Sequence, residues 1–288
     1  MTTPIQDVSE TALMVAMWRS LESRRPEPLF HDHLAESLAG ERGREIMAGA
    51  SRMRRQVATW MMAIRTRLID DLIRNGIQDG ADVILNLGAG LDTRPYRMSL
   101  PERLLWIEVD YAKMIDLKEA RLAEEKPVCT LERIRCDLAD ASARKALFSG
   151  IARKGQNILV LTEGLIPYLT EDDVGALADD LRTNESFRFW IADYFAPFIR
   201  RYRKRVAKKE GMENAPFVFE PKDYFEFFLS HGWCAKEVNY VGEAAEKLKR
   251  PPPFLLRLWA AVRAPFMSQR ARQEMRHAMA YVLFEPTK

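Results

Sequence analysis

The sequence predicts an α/β protein with a mostly parallel sheet, and three observations support this fold class. Between residues 83 and 193, short apolar runs alternate with stretches of helical spacing, the pattern of strands joined by helical crossovers. The first run leads directly into a glycine-rich turn. Before residue 75, apolar residues recur only at helical spacing. A helical N-terminal part is therefore expected to precede the sheet.

This N-terminal part is predicted to be entirely helical. Pro26 and Pro28 follow its first helix and cannot continue it, and Asn75-Gly76 is expected to stop its last helix. We expect residues 1–75 to form an N-terminal helical cap. The predicted helices of this cap span residues 9–21, 33–38 and 53–73.

Residues 76–288 are predicted to form the core that contains the sheet. The run from Val83 to Leu85 is apolar and rich in β-branched residues, as expected of a buried parallel strand. Thr170, with Asp173 three residues on, predicts a capping box for the helix after the fourth strand. The predicted strands span residues 83–87, 104–109, 131–135, 157–162, 187–193, 234–241 and 278–284. The predicted helices begin near residue 93 or span residues 111–124, 140–150, 171–182, 197–210 and 221–231.

The glycine-rich turn occupies Asn86 to Arg97 and reads NLGAGLDTRPYR. Gly88 and Gly90 lack the Cβ atom that would hinder positive φ angles and the close approach of a ligand. About twenty residues later the second apolar run ends at Asp110, where an acid can accept hydrogen bonds from both ribose hydroxyls of a nucleoside. Asp110 could instead cap the helix that begins at Tyr111. Together the turn and the acid predict a nucleotide or nucleoside site.

The turn departs from the GxGxxG pattern of dinucleotide-binding proteins, because Thr93 stands where the third glycine would fall. In dinucleotide binders that glycine permits close helix packing around a bound pyrophosphate. A ligand without phosphate does not need this arrangement. The departure therefore disfavours NAD and FAD, and S-adenosylmethionine is a nucleoside that fits.

Four motifs resemble, in order and spacing, those of the S-adenosylmethionine-dependent leucine carboxyl methyltransferase family. They are LGAGLDTRPYR ending at Arg97, EVD ending at Asp110, CDL ending at Leu138 and TEGLIPYL ending at Leu169. The similarity runs from about residue 10 to residue 195 and is closest to the bacterial branch of tetracenomycin-type polyketide O-methyltransferases. It implies a Rossmann-like class I methyltransferase sheet with an antiparallel last strand, S-adenosyl-L-methionine as cofactor, S-adenosyl-L-homocysteine as product, and a substrate-covering region at residues 195–275.

The resemblance also implies roles for individual residues. Asp137 would face the adenine amino group, with a helix cap as its alternative role, and Leu138 would pack or donate its backbone amide. Glu163 would face the ammonium group of the methionine tail. Arg65 would hold the carboxylate of that tail through its guanidinium fork. The residues expected to bind the cofactor are Arg65, Gly88, Ala89, Gly90, Asp110, Asp137, Leu138 and Glu163.

Two residues are assigned to catalysis by the same resemblance, Arg65 and Tyr168. Tyr168 matches a tyrosine near the transferred methyl group in the family, and it would either orient the acceptor oxygen or simply pack; both roles are open. Arg94 and Tyr96 are expected to reinforce the turn structurally rather than to contact substrate. The candidate residues of the acceptor pocket are Arg19, Arg65, Tyr168 and Tyr194.

The methyl acceptor is predicted to be a carboxylate of a small metabolite or peptide. A carboxylic acid has a reference pKa near 4 and is already ionised at neutral pH, so its methylation needs no general base. A phenol would require a base, and no convincing catalytic histidine accompanies the motifs. Methylation of a hydroxyl or phenol of a polyketide-like metabolite is the first alternative. A dehydrogenase and a non-catalytic cofactor-binding regulatory protein are alternatives of other classes.

Composition narrows the remaining function classes. The formal net charge of +3 gives no support for nucleic-acid binding. Cys129, Cys136 and Cys234 form no CxxC motif, which indicates free thiols in a reducing compartment and hence a cytoplasmic location. No secretion signal and no apolar run of about eighteen residues is apparent, so no membrane span is expected. His31-Asp32-His33 has no third ligand at useful spacing, so no metal site is expected.

Two segments have no role in this prediction. Residues 251–266 are apolar and basic, and a substrate lid or an oligomer contact is favoured over an interfacial membrane helix because the positive face is sparse. A homo-oligomer is left open. A solvated helix face is the favoured interpretation of the second segment, with recognition of an acidic substrate or carrier protein as its alternative. Its basic residues are Arg200, Arg201, Arg203, Lys204, Arg205, Lys208 and Lys209.

Overall fold

The computed structural model describes residues 8–206 and 213–288, which contain seven β-strands and twelve α-helices. The strands are β1 (Val83–Leu87), β2 (Leu105–Asp110), β3 (Thr130–Arg135), β4 (Ile158–Thr162), β5 (Phe187–Phe195), β6 (Trp233–Tyr240) and β7 (Met279–Pro286). The N-terminal helices are α1 (Val8–Ser23), α2 (Ala35–Gly49) and α3 (Arg52–Gln78). Those that follow are α4 (Arg94–Arg97), α5 (Ala112–Arg121), α6 (Ala141–Ile151), α7 (Glu171–Arg182), α8 (Pro197–Val206), α9 (Tyr224–Ser230), α10 (Val241–Lys247), α11 (Phe254–Arg263) and α12 (Gln269–Arg276).

The strands form one sheet in the order β3-β2-β1-β4-β5-β7-β6. Strands β1 to β5 pair in parallel, and antiparallel pairing occurs at the end of the sheet that holds the last strand, which confirms the predicted fold class. Strand β1 lies between β2 and β4: the chain places β2 and β3 on one side of β1 and then crosses over to place β4 and β5 on the other side. In open parallel sheets, ligands bind beyond the carboxyl ends of the strands at such a switch point.

The apolar content of each strand matches its position. All five residues of β1 and all five of β4 are buried, because helices and neighbouring strands cover both faces of the sheet centre. By contrast β3, the edge strand with sequence TLERIR, has only half-buried or exposed residues. The apolar runs on which the prediction depended are thus the central strands, beside which the turn lies.

Two N-terminal helices extend beyond the residues at which they were predicted to end, and each contains a glycine with a structural role. Helix α2 continues to Gly49 instead of ending at residue 38, with a kink at Gly40, whose φ is 63°. Helix α3 runs through Asn75-Gly76 and ends at Gln78, so the predicted stop was wrong. A Cβ atom at Gly76 would collide with the Leu159 side chain on β4. Gly76 therefore permits close packing of a helix on the sheet and does not terminate it.

The chain comprises two compact units. One unit joins the described residues up to Ile69 with those of segments 194–216 and 239–281. Within it, α1 packs on α2 near Gly43, where a Cβ atom would lie 3.1 Å from Met17 Cγ. The other unit comprises residues 70–193, 217–238 and 282–288 and contains the glycine-rich turn. No helix of the described residues is long and apolar enough to cross a membrane.

A buried ion-pair group joins β2, α5 and β3. Lys118 Nζ lies 2.6 Å from Glu108 Oε1, and Arg133 Nε lies 2.9 Å from Glu108 Oε2, with Lys118 and Glu108 both fully buried. We expect Lys118→Met to lower the free energy of unfolding by about 3 kcal/mol, because it leaves the Glu108 carboxylate with a single cationic partner. Urea denaturation measures this loss. Adding Glu108→Gln should recover part of it, and a double variant as unstable as Lys118→Met would contradict the explanation.

Candidate functional site

Hydrogen bonds from the backbone N–H groups of the glycine-rich turn hold it against the end of β2. Gly88 and Gly90 have φ angles of 66° and 46°, the left-handed conformation for which glycine was predicted here. The N–H groups of Gly88 and Ala89 both donate to the Val109 carbonyl, at 2.8 and 3.2 Å. The N–H of Gly90 donates to Asp110 Oδ2 at 2.7 Å. The turn and the predicted ribose-binding acid are therefore one hydrogen-bonded structure.

This bonding pattern bears on the class of ligand. A phosphate-binding turn points its backbone N–H groups at the anion. Here those of Gly88, Ala89 and Gly90 already have acceptors, and one acceptor is the Asp110 carboxylate, which repels an anion. Hydroxyl groups of a ribose can still donate to the Asp110 oxygens, because a carboxylate accepts several hydrogen bonds. The geometry favours a nucleoside without phosphate at this position.

The Asp110 carboxylate has a raised pKa and a second backbone hydrogen bond. Burial raises its pKa above the ordinary value, although the N–H groups of Gly90 and Tyr111 oppose this shift. Asp110 Oδ1 accepts the N–H of Tyr111 at 2.7 Å, and α5 begins without a side-chain cap. The alternative role of Asp110 as a helix cap is therefore not found. Its role toward ribose stays a prediction.

Arg94, the first residue of α4, is almost completely buried among three carboxylates. Its Nε donates to Asp70 Oδ1 at 2.7 Å, and its Nη1 donates to Asp92 Oδ2 and Glu163 Oε2, each at 2.7 Å. Its backbone N–H also donates to Asp92 Oδ1 at 2.9 Å. Arg94 thus connects the turn to α3 and to the end of β4. This agrees with the structural role predicted for it.

Further hydrogen bonds join the residues around Arg94. We call this group the Arg94 cluster (Asp70, Asp92, Arg94, Arg97 and Glu163). Arg97 donates to both oxygens of Asp70, at 2.6 and 2.9 Å, and Asn86 Nδ2 donates to Asp92 at 2.9 Å. Within the cluster, two guanidinium groups face three carboxylates. Asp70 and Asp92 were not predicted from the sequence.

The pKa shifts in the Arg94 cluster follow from its charges. Burial alone would raise the pKa of Asp70, but the guanidinium groups of Arg97 and Arg94 bring it below its ordinary value. The pKa of Asp92 is lowered in the same way, chiefly by Arg94. Burial opposes the charged form of Arg94, yet its carboxylate neighbours raise its pKa well above the ordinary value. Asp70, Asp92 and Arg94 are therefore ionised at neutral pH.

Glu163 directly follows β4, at the carboxyl end of a strand next to β1. Its bond to Arg94 fixes one carboxylate oxygen, and the next residue is fixed separately, because the Gly164 N–H donates to Asp193 Oδ2 at 2.6 Å. Asp193 is buried near the end of β5, where the carbonyl of the same residue accepts the Tyr224 hydroxyl. The position of Glu163 is thus set by two strands. Its predicted bond to a ligand ammonium group stays untested.

Tyr168 lies in a short 3₁₀ turn, Ile166–Tyr168, in the loop after β4. Its ring packs edge-to-face on Phe217 with centroids 5.3 Å apart, and the neighbouring Pro167 carbonyl accepts the Val218 N–H. The structure therefore shows packing for Tyr168. A role toward the acceptor oxygen stays a prediction.

Asp137 and Leu138 follow β3. Asp137 is exposed and its Oδ1 accepts the Ala139 N–H at 2.9 Å, while Asp140 forms the cap of α6. The alternative interpretation of Asp137 as a helix cap was therefore wrong. The Leu138 carbonyl accepts a bond from Arg144, so this loop is tied to the helix that follows it. The Asp137 side chain is accessible to a ligand such as an adenine amino group.

Arg65 belongs to the other compact unit. It is half-buried on α3, and its guanidinium carbon lies 5.9 Å from the centroid of the Tyr281 ring. Its predicted bond to a cofactor carboxylate stays untested. In the same unit, Asp32 pairs with Arg19 at 2.8 Å, and no group of at least three metal-ligating side chains occurs in residues 8–206 and 213–288. Arg200 is buried on α8, unlike the exposed Arg201, and Lys208 and Lys209 lie outside the described residues.

The sheet order and the turn together define a Rossmann-like, S-adenosylmethionine-dependent methyltransferase. A model of the leucine carboxyl methyltransferase family matches residues 12–182. The chain belongs to the leucine carboxyl methyltransferase family. This confirms the resemblance that the four motifs indicated.

Individual relatives agree with this assignment. A protein of Streptomyces coelicolor named as an S-adenosyl-L-methionine-dependent methyltransferase is 34% identical over 254 residues, covering 84% of this chain and 88% of the relative. A protein of Frankia alni with the same description is 33% identical over 249 residues, covering 82% of this chain and 85% of the relative. S-adenosylmethionine is therefore the methyl donor.

Two solved structures share the fold. A DUF574 family protein of Streptomyces avermitilis superposes with a TM-score of 0.55 at 14% identity, covering 96% of this chain and 97% of that one. A methyltransferase of Thermobifida fusca superposes with a TM-score of 0.53 at 14% identity, covering 100% and 96%. At this identity the likeness shows the fold and nothing about the acceptor.

Proposed function

We propose that this methyltransferase transfers the methyl group to a carboxylate oxygen of a small metabolite or peptide. The acceptor oxygen attacks the methyl carbon in line with the sulfur, so that a C–O bond forms as the C–S bond breaks and its electron pair goes to sulfur. The products are a methyl ester and S-adenosylhomocysteine. For this reaction the protein must hold the oxygen about 3 Å from the methyl carbon and exclude water.

The charge state of the Arg94 cluster carries this proposal. A phenol gives up its proton only to a base with sufficient proton affinity in the transition state. Asp70 and Asp92 are poor bases, because their pKa values are lowered by the arginines that they contact. A carboxylate acceptor needs no base, because it is already ionised at neutral pH. Asp70 and Asp92 are thus suited to holding the arginines in place and unsuited to removing a proton.

We assign the remaining roles on the same basis. Glu163 and Arg65 would hold the ammonium and carboxylate groups of the methionine tail, and Tyr168 would orient the acceptor oxygen. The role of Glu163 is supported by its position directly after β4, next to β1, and by its bond to Arg94, which fixes one carboxylate oxygen. Residues 1–75 and 195–275 would recognise the acceptor. Most of their described residues belong to one compact unit, which supports a common role.

A panel of acceptors tests the proposal. The purified protein is incubated with S-adenosylmethionine carrying a radiolabelled methyl group and with aliphatic acids, aromatic acids, phenols or short peptides. Methyl esters release volatile labelled methanol in mild alkali, whereas phenyl ethers retain the label. We expect alkali-labile product from at least one acid. Stable product from phenols alone would reject carboxyl specificity.

The pH profile gives an independent readout. With a carboxylic acid acceptor the rate should be constant from pH 6 to pH 9, because the acceptor stays ionised above a pKa near 4. With a phenol acceptor it should rise toward the phenol pKa near 10. Binding of S-adenosylhomocysteine without turnover of any acceptor would instead support a regulatory protein.

A further inference from the structure

The segment from Lys247 to Arg276 differs in charge from the rest of the chain. It holds eight of the 44 Lys and Arg residues but only one of the 41 Asp and Glu residues. The remainder of the chain therefore carries more acidic than basic residues. The segment contains α11 and α12, and its described contacts lie within the unit that includes the N-terminal helices.

Both ends of this segment are anchored. At its start, Arg250 Nη2 lies 2.8 Å from Glu22 Oε1, and Trp60 Nε1 donates to the Arg250 carbonyl at 2.9 Å. At its end, Arg276 Nη2 lies 2.5 Å from Glu246 Oε1 on α10. The residues between these anchors are thus presented at a fixed place on their unit.

Helix α11 exposes an apolar stripe. Phe254 is 72% exposed, Leu258 is 51% exposed and Val262 is 61% exposed. Successive helix residues lie about 100° apart, so these three side chains and that of Leu255 fall within an arc of roughly 100°. Phe266, just beyond the helix, is 89% exposed. Exposed apolar patches of this kind mark interaction surfaces.

Arginines border this stripe on both sides. On the helical wheel Arg257 lies about 60° to one side of Phe254, and Arg263 lies about 80° beyond Leu255 on the other side. Both arginines are exposed. On α12, the Arg270 side chain is 90% exposed. The positive charge that the sequence suggested to be sparse is therefore placed at the edges of the apolar stripe.

We propose that the segment Lys247–Arg276 binds the surface of an anionic lipid bilayer. The stripe of α11 would enter the boundary between headgroups and acyl chains, and the flanking arginines would contact lipid phosphates. A second copy of this chain is disfavoured as the partner, because pairing two such faces would bring like charges together. Binding is reversible and salt-sensitive, since one short helix buries limited apolar area.

Vesicle sedimentation tests this proposal with the full chain. Vesicles of phosphatidylcholine alone are compared with vesicles containing equal parts of phosphatidylglycerol. We expect the protein to sediment with the anionic vesicles at low salt and to be released at high salt. Arg257→Gln with Arg263→Gln should weaken the partition by at least tenfold, because each arginine near an anionic surface contributes about fivefold. Leu258→Ser with Val262→Ser should also abolish most of it.

Matched variants serve as controls. Arg153→Gln with Arg188→Gln removes two exposed arginines elsewhere, and Val128→Ser removes an exposed apolar side chain elsewhere. These should partition like the unaltered protein, and retained binding of S-adenosylhomocysteine verifies the folding of every variant. Failure to bind anionic vesicles overturns the proposal, as does equal partition of all variants. A dimer in sedimentation velocity that Leu258→Ser with Val262→Ser dissociates would assign the stripe to a second copy. Loss of methyl transfer in that variant with unchanged vesicle binding would assign it to a substrate lid.

Discussion

Replacing Arg94 by methionine is expected to destabilise the protein by about 3–5 kcal/mol, because the change leaves a buried carboxylate group without its central cation. Asp70 would retain Arg97, but Asp92 and Glu163 would lose the guanidinium that they share. Equilibrium urea denaturation measures the loss in the free energy of unfolding. The carboxylates need a cationic partner only while they are ionised. The difference in the free energy of unfolding between Arg94→Met and the unaltered protein should therefore become smaller at acidic pH.

Two further variants make this prediction specific. Arg188→Met removes an exposed arginine on β5 and should change the free energy of unfolding by less than about 0.5 kcal/mol. Arg94→Lys keeps the positive charge but loses the forked guanidinium group, so it should retain part of the stability. It should also weaken S-adenosylhomocysteine binding, because Glu163 would no longer be held in place. If Arg94→Met unfolded at the same urea concentration as the unaltered protein, the central role of Arg94 would be rejected.

Replacing Asp110 by alanine is expected to weaken S-adenosylhomocysteine binding by about 1.5–3 kcal/mol, the range for hydrogen bonds to a charged group. Isothermal titration calorimetry measures this change. The substitution also removes the acceptor for the Gly90 N–H, so Asp110→Asn is the informative partner variant. Its amide oxygen can still accept that N–H but offers fewer acceptor sites to ribose. An unchanged dissociation constant in Asp110→Ala would contradict the proposed role.

The pH dependence of this binding has a definite sign. Burial raises the pKa of Asp110 above its ordinary value. The hydroxyls of a ribose bound there would donate to its ionised form. Affinity should therefore be complete above the raised pKa and decline as the pH falls through it. Asp110→Asn has no proton to bind, so its affinity should lack this dependence. A similar decline in both variants would place the titrating group elsewhere.

A feature could be predicted from the sequence when the residues that form it lie close together along the chain. The turn, Asp110 and the central strands were recognised because the residues that form them are adjacent or within one βαβ unit. Glu163 and Arg94 were singled out by the resemblance, but their contact and the part of Asp70 were missed, because Asp70 and Glu163 lie 24 and 69 residues from Arg94 in the chain. Asp92, an acid within the buried turn and two residues from Arg94, could have been found from its local position.

The C-terminal helices were missed for a different physical reason. Helix α10 spans only 7 residues, too few for a clear periodic signal. Helix α12 is short and charged and has no buried residue, so the apolar periodicity that reveals a core-facing helix is absent there. Helix α11 was noted as an apolar and basic segment, but only the structure shows that Phe254, Leu258 and Val262 are exposed. Periodicity reports which residues share a face and not which face meets the core.

The two backbone amides that share the Val109 carbonyl as their acceptor bear on which other nucleotides can compete for the site. An adenosine pocket meets ATP, ADP and NAD as competitors of its intended ligand. Here a competing nucleotide would bring its phosphates to backbone donors that are already taken and to the Asp110 carboxylate. We therefore expect the backbone of the turn and the Asp110 carboxylate together to disfavour the abundant nucleotides.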